Sequence, residues 1–241
     1  MSLQHQNNHL YSLHRHVDIV NRVFITNNIN GDHQSLVKLM RESKFCQKKG
    51  DILVSLGNFF GGDGRNAYND NEALAKIANN QWCHLLFGEN EFWLNECYLA
   101  LKNEDQGLLD LCIEKQESWL GDYITSSGHK NIFSSLNSLS LFLSATHKES
   151  KIGFSTNAPS YSDWSMIDSL LSEDKIVKDL LFNPNNSMLP AKSGVKGLTH
   201  LYTTGTVPTI QHAYNCTVIP TLSNKKQMYA IPFSVMHNFI T

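Results

Sequence analysis

Along the first hundred residues, hydrophobic positions come in short β-branched and aromatic bursts, each cut off by a Gly/Asn cluster and followed by a stretch with helical spacing. Val23-Phe24-Ile25-Thr26 runs into Asn27-Asn28-Ile29-Asn30-Gly31, which reads as a strand and then a tight loop. Asp32 stands where it can cap a helix whose apolar side is Leu36, Leu39 and Met40, and the helix should stop between Lys44 and Lys49. Asp51 to Leu56 reads as the second strand, closed by Gly57-Asn58 and the glycine-rich run Gly61-Gly62-Asp63-Gly64, before a helix over Asn71 to Asn79 carried by Leu74, Ile77 and Ala78. Trp82 to Phe87 makes a third strand ending at Gly88, and Glu91 to Lys102 a third helix. A strand, loop and helix unit repeated three times predicts parallel strands with right-handed helical crossovers. The loops then share the carboxyl edge of the sheet, where open α/β sheets hold their ligands.

Residues 104 to 147 read as a mostly helical cap or insertion, with Leu108, Leu109, Leu111 and Cys112, then Ile132, Phe133, Leu136, Leu139, Phe142 and Leu143 at near-helical spacing. Strand character returns at Lys151 to Ser155, followed by the loop Thr156-Asn157-Ala158-Pro159 and a polar helical region from Asp163 to Phe182. Three more strands are expected at Leu201–Thr204, Thr217–Ile219 and Met228–Phe233, and a second sheet built from this half gives a layered α-β-β-α sandwich. A chain of 241 residues suits one such domain over residues 23–241. Residues 1–22 hold His5, His9, His14 and His16 among Gln and Asn, without ligand-like spacing, and predict a solvated arm that docks late rather than a metal site.

Charge and composition narrow the partners. A net charge of −2 and a pI near 6.6 give no electrostatic footprint for nucleic acid or an anionic membrane. No apolar run approaches a membrane span and the first residues lack the apolar stretch of a signal peptide, so a soluble cytoplasmic protein is expected. The five cysteines, Cys46, Cys83, Cys97, Cys112 and Cys216, form no CxxC pair and fit reduced thiols, mostly core filler. There is no GxSxG elbow and no glycine-rich loop ending in Gly-Lys-Ser/Thr, so serine hydrolase and NTPase chemistry have no support.

In order and spacing, the strand-end loops resemble those of the calcineurin-like metallophosphoesterases, most closely the bacterial and bacteriophage serine/threonine phosphatase branch. That family's loops read GDxHG, GDxxDRG, GNHE, a later histidine loop and GHTP. Here they correspond to Asn27-Asn28-Ile29-Asn30-Gly31, Gly57-Asn58-Phe59-Phe60-Gly61-Gly62-Asp63, Gly88-Glu89-Asn90-Glu91, Ser155-Thr156-Asn157-Ala158 and Gly205-Thr206-Val207-Pro208. The resemblance spans about Val23 to Phe233. It implies a site for two divalent metals, yet the ligand positions carry Asn28 and Asn30 for the DxH pair, Asn58 for the bridging Asp, Glu89 for the Asn, and Asn157 and Thr206 for later histidines. Asn90 stands for the catalytic histidine. All seven differ from the family pattern. Asn keeps the shape of Asp but loses its charge, and a neutral amide is a poor bridge between two cations. Without the metals no bound water is acidified from ~15.7 toward ~7, and Asn90 cannot protonate a leaving oxygen as an imidazolium would. The motif's arginine falls at Gly62, although Arg65 is close enough in sequence to reach back to a phosphate.

The reading is therefore a pseudophosphatase: no catalytic residues, no metal or other cofactor, Glu89 as a weak metal candidate, Arg65 as a possible ligand contact, and a protein or phosphorylated ligand as partner. One alternative is an active phosphoesterase holding two metals such as manganese through a shifted set, drawn from Asp32, His33, Asp63, Glu89, Glu91, His200 and His212. Another is an unrelated α/β domain that binds a sugar or nucleotide with Phe59, Phe60, Trp93 and Trp164, rings that otherwise serve packing.

Overall fold

The computed structural model describes residues 12–18, 21–62, 67–115, 120–121, 124, 130–147, 150–156, 198–204, 211–213, 216–220 and 228–232. Three short buried strands, β2 (Arg22–Thr26), β3 (Ile52–Ser55) and β4 (Cys83–Leu86), pair in parallel. Each is followed by a helix: α1 (His33–Glu42), α2 (Ala67–Ala78) and α3 (Glu89–Asn103). Alternation in the strands divides the apolar residues between two cores. Phe24, Leu53, Cys83 and Leu85 face Leu36, Leu74, Ala75, Leu94 and Cys97 of the helices. From the opposite face Val23, Ile25, Ile52, Val54 and Leu86 meet Leu143, Ala145 and Phe154.

Those last three residues belong to β5 (Leu139–His147) and β6 (Ser150–Ser155), which pair antiparallel. The second core thus joins β2, β3 and β4 to β5 and β6, which continue the same hydrogen-bonded sheet through the parallel pairing of β4 with β5. Parallel pairing continues through β7 (Leu198–Thr204) to β9 (Cys216–Pro220), and with β8 (Gln211–Ala213) and β10 (Met228–Pro232) the sheet order is β10-β2-β3-β4-β5-β6-β7-β9-β8. The chain is a mixed α/β protein with a parallel sheet covered by helices. The polar segment 163–182 expected as a helix lies outside the described residues, and among the described residues no helix is long and apolar enough to cross a membrane.

Three expectations change. Ser12–Asp18, expected as part of a solvated arm, forms β1 and pairs in parallel with β5 from Ser140 to Thr146. Backbone hydrogen bonds hold a strand whatever its side chains, so a His-rich composition conceals one. The helical stretch expected to reach residue 147 includes α4 (Gln106–Lys115), the helical residues Leu120, Gly121 and Ile124, α5 (Lys130–Ser135) and one 3-10 turn, but it ends where β5 begins at Leu139. Leu139 through Ala145 are buried on both faces, and a doubly buried strand has no two-residue period to give it away. The last strand, β10 (Met228–Pro232), does not extend the second sheet but returns to pair antiparallel with β2.

At the opposite end of β2 from the loops, Asp51 is fully buried and fixes the starts of β2 and β3 together. Its carboxylate accepts from Arg22 Nη2 (2.6 Å) and Nε (3.1 Å), Asn21 Nδ2 (2.7 Å) and the Cys46 amide (2.8 Å). Burial pushes this carboxyl up, but the Arg22, Cys46 and Asn21 donors outweigh it and hold it below the ordinary carboxylate range. A depressed folded value stabilises the fold above the unfolded pKa and loses that contribution as pH falls through the folded one, so its acid limb lies below about pH 4. Asp51→Asn should cost about 2 kcal/mol at neutral pH in urea unfolding. An unchanged midpoint would mean that the carboxylate is dispensable there.

Three of the cysteines are core filler, and Cys46 is half-buried. Cys83, Cys97 and Cys112 are buried, and burial pushes the Cys97 and Cys112 thiols up to about 12, leaving them protonated and unreactive.

Candidate functional site

The loops after β2, β3 and β4 meet at the carboxyl edge. Past the strands, the first two loops stay zipped: Asn28 N donates to Gly57 O (3.2 Å), Asn30 N to Asn58 O (2.8 Å) and Gly31 N to Phe59 O (3.1 Å). This close approach needs glycine at two places. A Cβ on Gly31, at φ +76, would lie 1.9 Å from Gly61 O, and one on Gly88 would lie 2.4 Å from Asn58 N. Asn28, Asn30 and Asn58 all adopt the left-handed backbone, at φ 48, 48 and 50, a conformation that Asn tolerates better than most residues. The fourth loop joins through Thr156, whose hydroxyl donates to Phe87 O at 2.8 Å.

Glu91 is the structural centre of this edge. It is 0% exposed, and its two oxygens accept four backbone N–H groups: Phe59 (2.8 Å) and Phe60 (3.1 Å) on Oε1, Asn58 (2.9 Å) and Gly88 (3.0 Å) on Oε2. Burial raises its carboxyl above the ordinary range, against the pull of those four donors. From α2, the buried Asn71 side chain clamps the same loop, accepting from Gly61 N (3.0 Å) and donating to Gly61 O (2.7 Å) and Ala67 O (2.7 Å).

Above this support the structure brings together four of the seven positions singled out from the sequence. Asn58 Nδ2 donates to Asn28 Oδ1 (3.1 Å), the Asn90 amide N–H to Asn58 Oδ1 (3.1 Å), and Asn90 Nδ2 to both Phe60 O (2.7 Å) and Asn30 Oδ1 (3.3 Å). Glu89 opens α3 beside Asn90 and is exposed. Arg65, Asn157 and Thr206 lie outside the described residues. Among the described residues no group of three or more His, Cys, Asp or Glu is placed to hold a metal ion. The oxygens of Asn28, Asn30 and Asn58 accept from neighbouring amide N–H groups, and a set of neutral amides does not fit a pair of divalent cations.

The alternative ligands are dispersed. Asp32 is the cap of α1, accepting from Ser35 N (2.9 Å) and Ser35 Oγ (2.7 Å). Glu91 is consumed by backbone, Asp63 lies outside the described residues, and His200 and His212 fall on β7 and β8, at the far end of the strand order. Phe59 and Phe60 are fully buried and stack edge to face at 5.4 Å, and the half-buried Trp93 packs on Phe92, so these rings build the core rather than a ligand platform. Trp164 lies outside the described residues. Glu91 was legible only as a possible ligand, although a glutamate three residues into a helix that follows glycine is a cap signal. Asn71 carried no signal, since its role depends on which loop α2 lies against.

No protein-family model matches the sequence, and no curated protein matches it. Solved structures do share its fold. One is a protein provisionally assigned as a diadenosine tetraphosphatase, with a TM-score of 0.57 and 15% identity over 92% of this chain and 94% of that one. Another is the cold-active protein-tyrosine phosphatase of a psychrophilic Shewanella species, with a TM-score of 0.52 and 10% identity over 92% and 78%. At such identities the likeness is one of fold. What these likenesses define is the fold, an α/β architecture that this chain shares with those phosphatases.

Proposed function

We propose that this chain is a pseudophosphatase, built on the serine/threonine branch of the metallophosphoesterase scaffold and retained for binding or regulation in the cytoplasm. The observation that carries the reading is the closed amide network of Asn28, Asn30, Asn58 and Asn90 at the crest. Where the family motif would supply carboxylates and imidazoles, these side chains are neutral amides hydrogen-bonded to one another and to the backbone. Among the described residues, Asn28, Asn30, Asn58 and Asn90 thus offer no anionic oxygen to bridge two cations and no imidazole to donate a proton. Its support, Glu91 and Asn71, remains fully engaged, so the loops keep their shape without the chemistry. Fold alone does not assign an activity, and this site lacks the parts that hydrolysis needs. A protein subunit or a phosphorylated ligand is the expected partner, with Arg65 as a contact for phosphate.

The test is elemental analysis after incubation with manganese, with p-nitrophenyl phosphate turnover measured on the same preparation. Near-zero metal, and turnover no greater than that of Glu89→Ala, is the expected result. About two metals per chain with turnover lost in Glu89→Ala would overturn the proposal.

A further inference from the structure

Asn30-Gly31 is the one Asn-Gly pair in the sequence, and it lies in the first crest loop. In such a pair no side chain shields the glycine nitrogen, which can attack the side-chain carbonyl of the asparagine before it. The structure holds the two halves of that reaction in opposite states. Asn30 is exposed, its Oδ1 accepting from Asn90 Nδ2 at 3.3 Å. Gly31 is buried, and its N–H donates to Phe59 O at 3.1 Å, a rung of the zip between the first two loops. The rung before it, from Asn30 N to Asn58 O, is 2.8 Å. While these bonds are closed, the Gly31 nitrogen keeps its proton and is held toward Phe59 O.

We propose that Asn30 is a modification site gated by this zip: when the two loops part, Asn30 deamidates to aspartate or isoaspartate, and the isoaspartate form cannot close again. With Gly31 N released, solvent hydroxide takes its proton and the nitrogen attacks Asn30 Cγ. The tetrahedral centre expels Nδ2 as ammonia, protonated by water, and the new Cγ–N bond closes a succinimide. Water then breaks one of its two C–N bonds. Opening at Cγ gives aspartate, and opening at the backbone carbonyl gives isoaspartate, with the chain running on through Cγ. Both products carry a negative charge where a neutral amide stood. Isoaspartate also adds one methylene to the backbone just before Gly31, where the packing has no room. Even a Cβ on Gly31 would meet Gly61 O at 1.9 Å and Asn71 Nδ2 at 3.2 Å. Those atoms are themselves fixed, since Asn71 clamps Gly61 from both sides of its peptide and bonds Ala67 O. The modification thus turns a reversible opening into a permanent one.

The experiment incubates the full chain at mildly alkaline pH, folded and in urea, and follows the peptide holding Asn30 by mass spectrometry, with isoaspartate measured by enzymatic methyl transfer. Because only opened molecules react, Asn30 in the folded protein should convert at least about tenfold more slowly than in the unfolded chain, and the rate should climb with urea below the unfolding midpoint. Asn90→Ala, which removes the bonds to Asn30 Oδ1 and Phe60 O, should raise the folded rate severalfold. The urea series on the wild-type protein serves if that variant does not fold. Protein carrying isoaspartate, separated by its added charge, should have lost hydrogen-exchange protection at Asn30 and Gly31. Equal rates in the folded and unfolded chain, no conversion at Asn30 in either, or native protection in the isoaspartate form would each overturn the inference. None of these outcomes bears on turnover, so the pseudophosphatase reading stands or falls separately on the manganese assay.

Discussion

Glu91→Gln should lower the unfolding free energy by about 3 kcal/mol, and Glu91→Ala by about 4 or more, making these the most damaging single changes at the site. Each carboxylate oxygen accepts two backbone N–H groups from the loops after β3 and β4. Glutamine keeps one oxygen and turns an NH2 toward the other two donors, leaving them buried and unsatisfied at about 1–3 kcal/mol each. Alanine strands all four and leaves a cavity besides. Against a typical total of about 5–15 kcal/mol, either loss is large. Urea midpoints measure the size of the effect. Hydrogen exchange measures its location, because protection should be lost first at the amides of Asn58, Phe59, Phe60 and Gly88. A Glu91→Gln protein within about 1 kcal/mol of wild type would show that the loops hold themselves.

Between pH 6.5 and 4 the wild-type protein should lose about 3 kcal/mol of stability that a His84→Leu variant keeps. His84 lies on β4, on the same face as Leu86 of the second core. It is 8% exposed, and its Nδ1 has no hydrogen-bond partner among the described residues. Burial, and then the Arg15 guanidinium, lower its imidazole to about 4. The unfolded chain takes up this proton near pH 6.5 and the folded one only near 4. The stability is present above pH 6.5, declines through that window and is gone once pH falls through the folded value. Glu91, with its carboxyl raised, works in the opposite sense in the carboxylate range, so the informative quantity is the difference between wild type and variant. Parallel stability curves for the two proteins would refute the assignment.

The two residues behind these predictions differ in how visible they were. Val23–Thr26, Asp51–Leu56 and Trp82–Phe87 announced themselves as strands because each is short, apolar and stopped by Gly or Asn. The Asp32 cap was equally plain, since capping is local chemistry between a side chain and a backbone N–H three residues on. Asn28, Asn30, Asn58 and Asn90 could be grouped because the repeated unit forces its loops to one edge. His84 could not be placed, because nothing in Trp82–Phe87 says that β1 would bring Arg15 near it. Nor could Phe59 and Phe60 be told from ligand-binding rings until burial was known.

What the sequence determined by itself is the local layer: parallel strand–loop–helix units, the caps and turns, and a crest of amides in place of charged ligands. These follow from side-chain period, backbone tolerance at Gly and Asn, and the identity of the donor atoms. Tertiary structure alone decided that β10 returns to β2, that a His-rich segment becomes β1, and that an apparently helical leucine run is the doubly buried β5. It also decided that Glu91 is a bracket for two loops and not a ligand. Each of these depends on contacts between residues distant in sequence, where the energy of backbone pairing and burial overrides any local pattern.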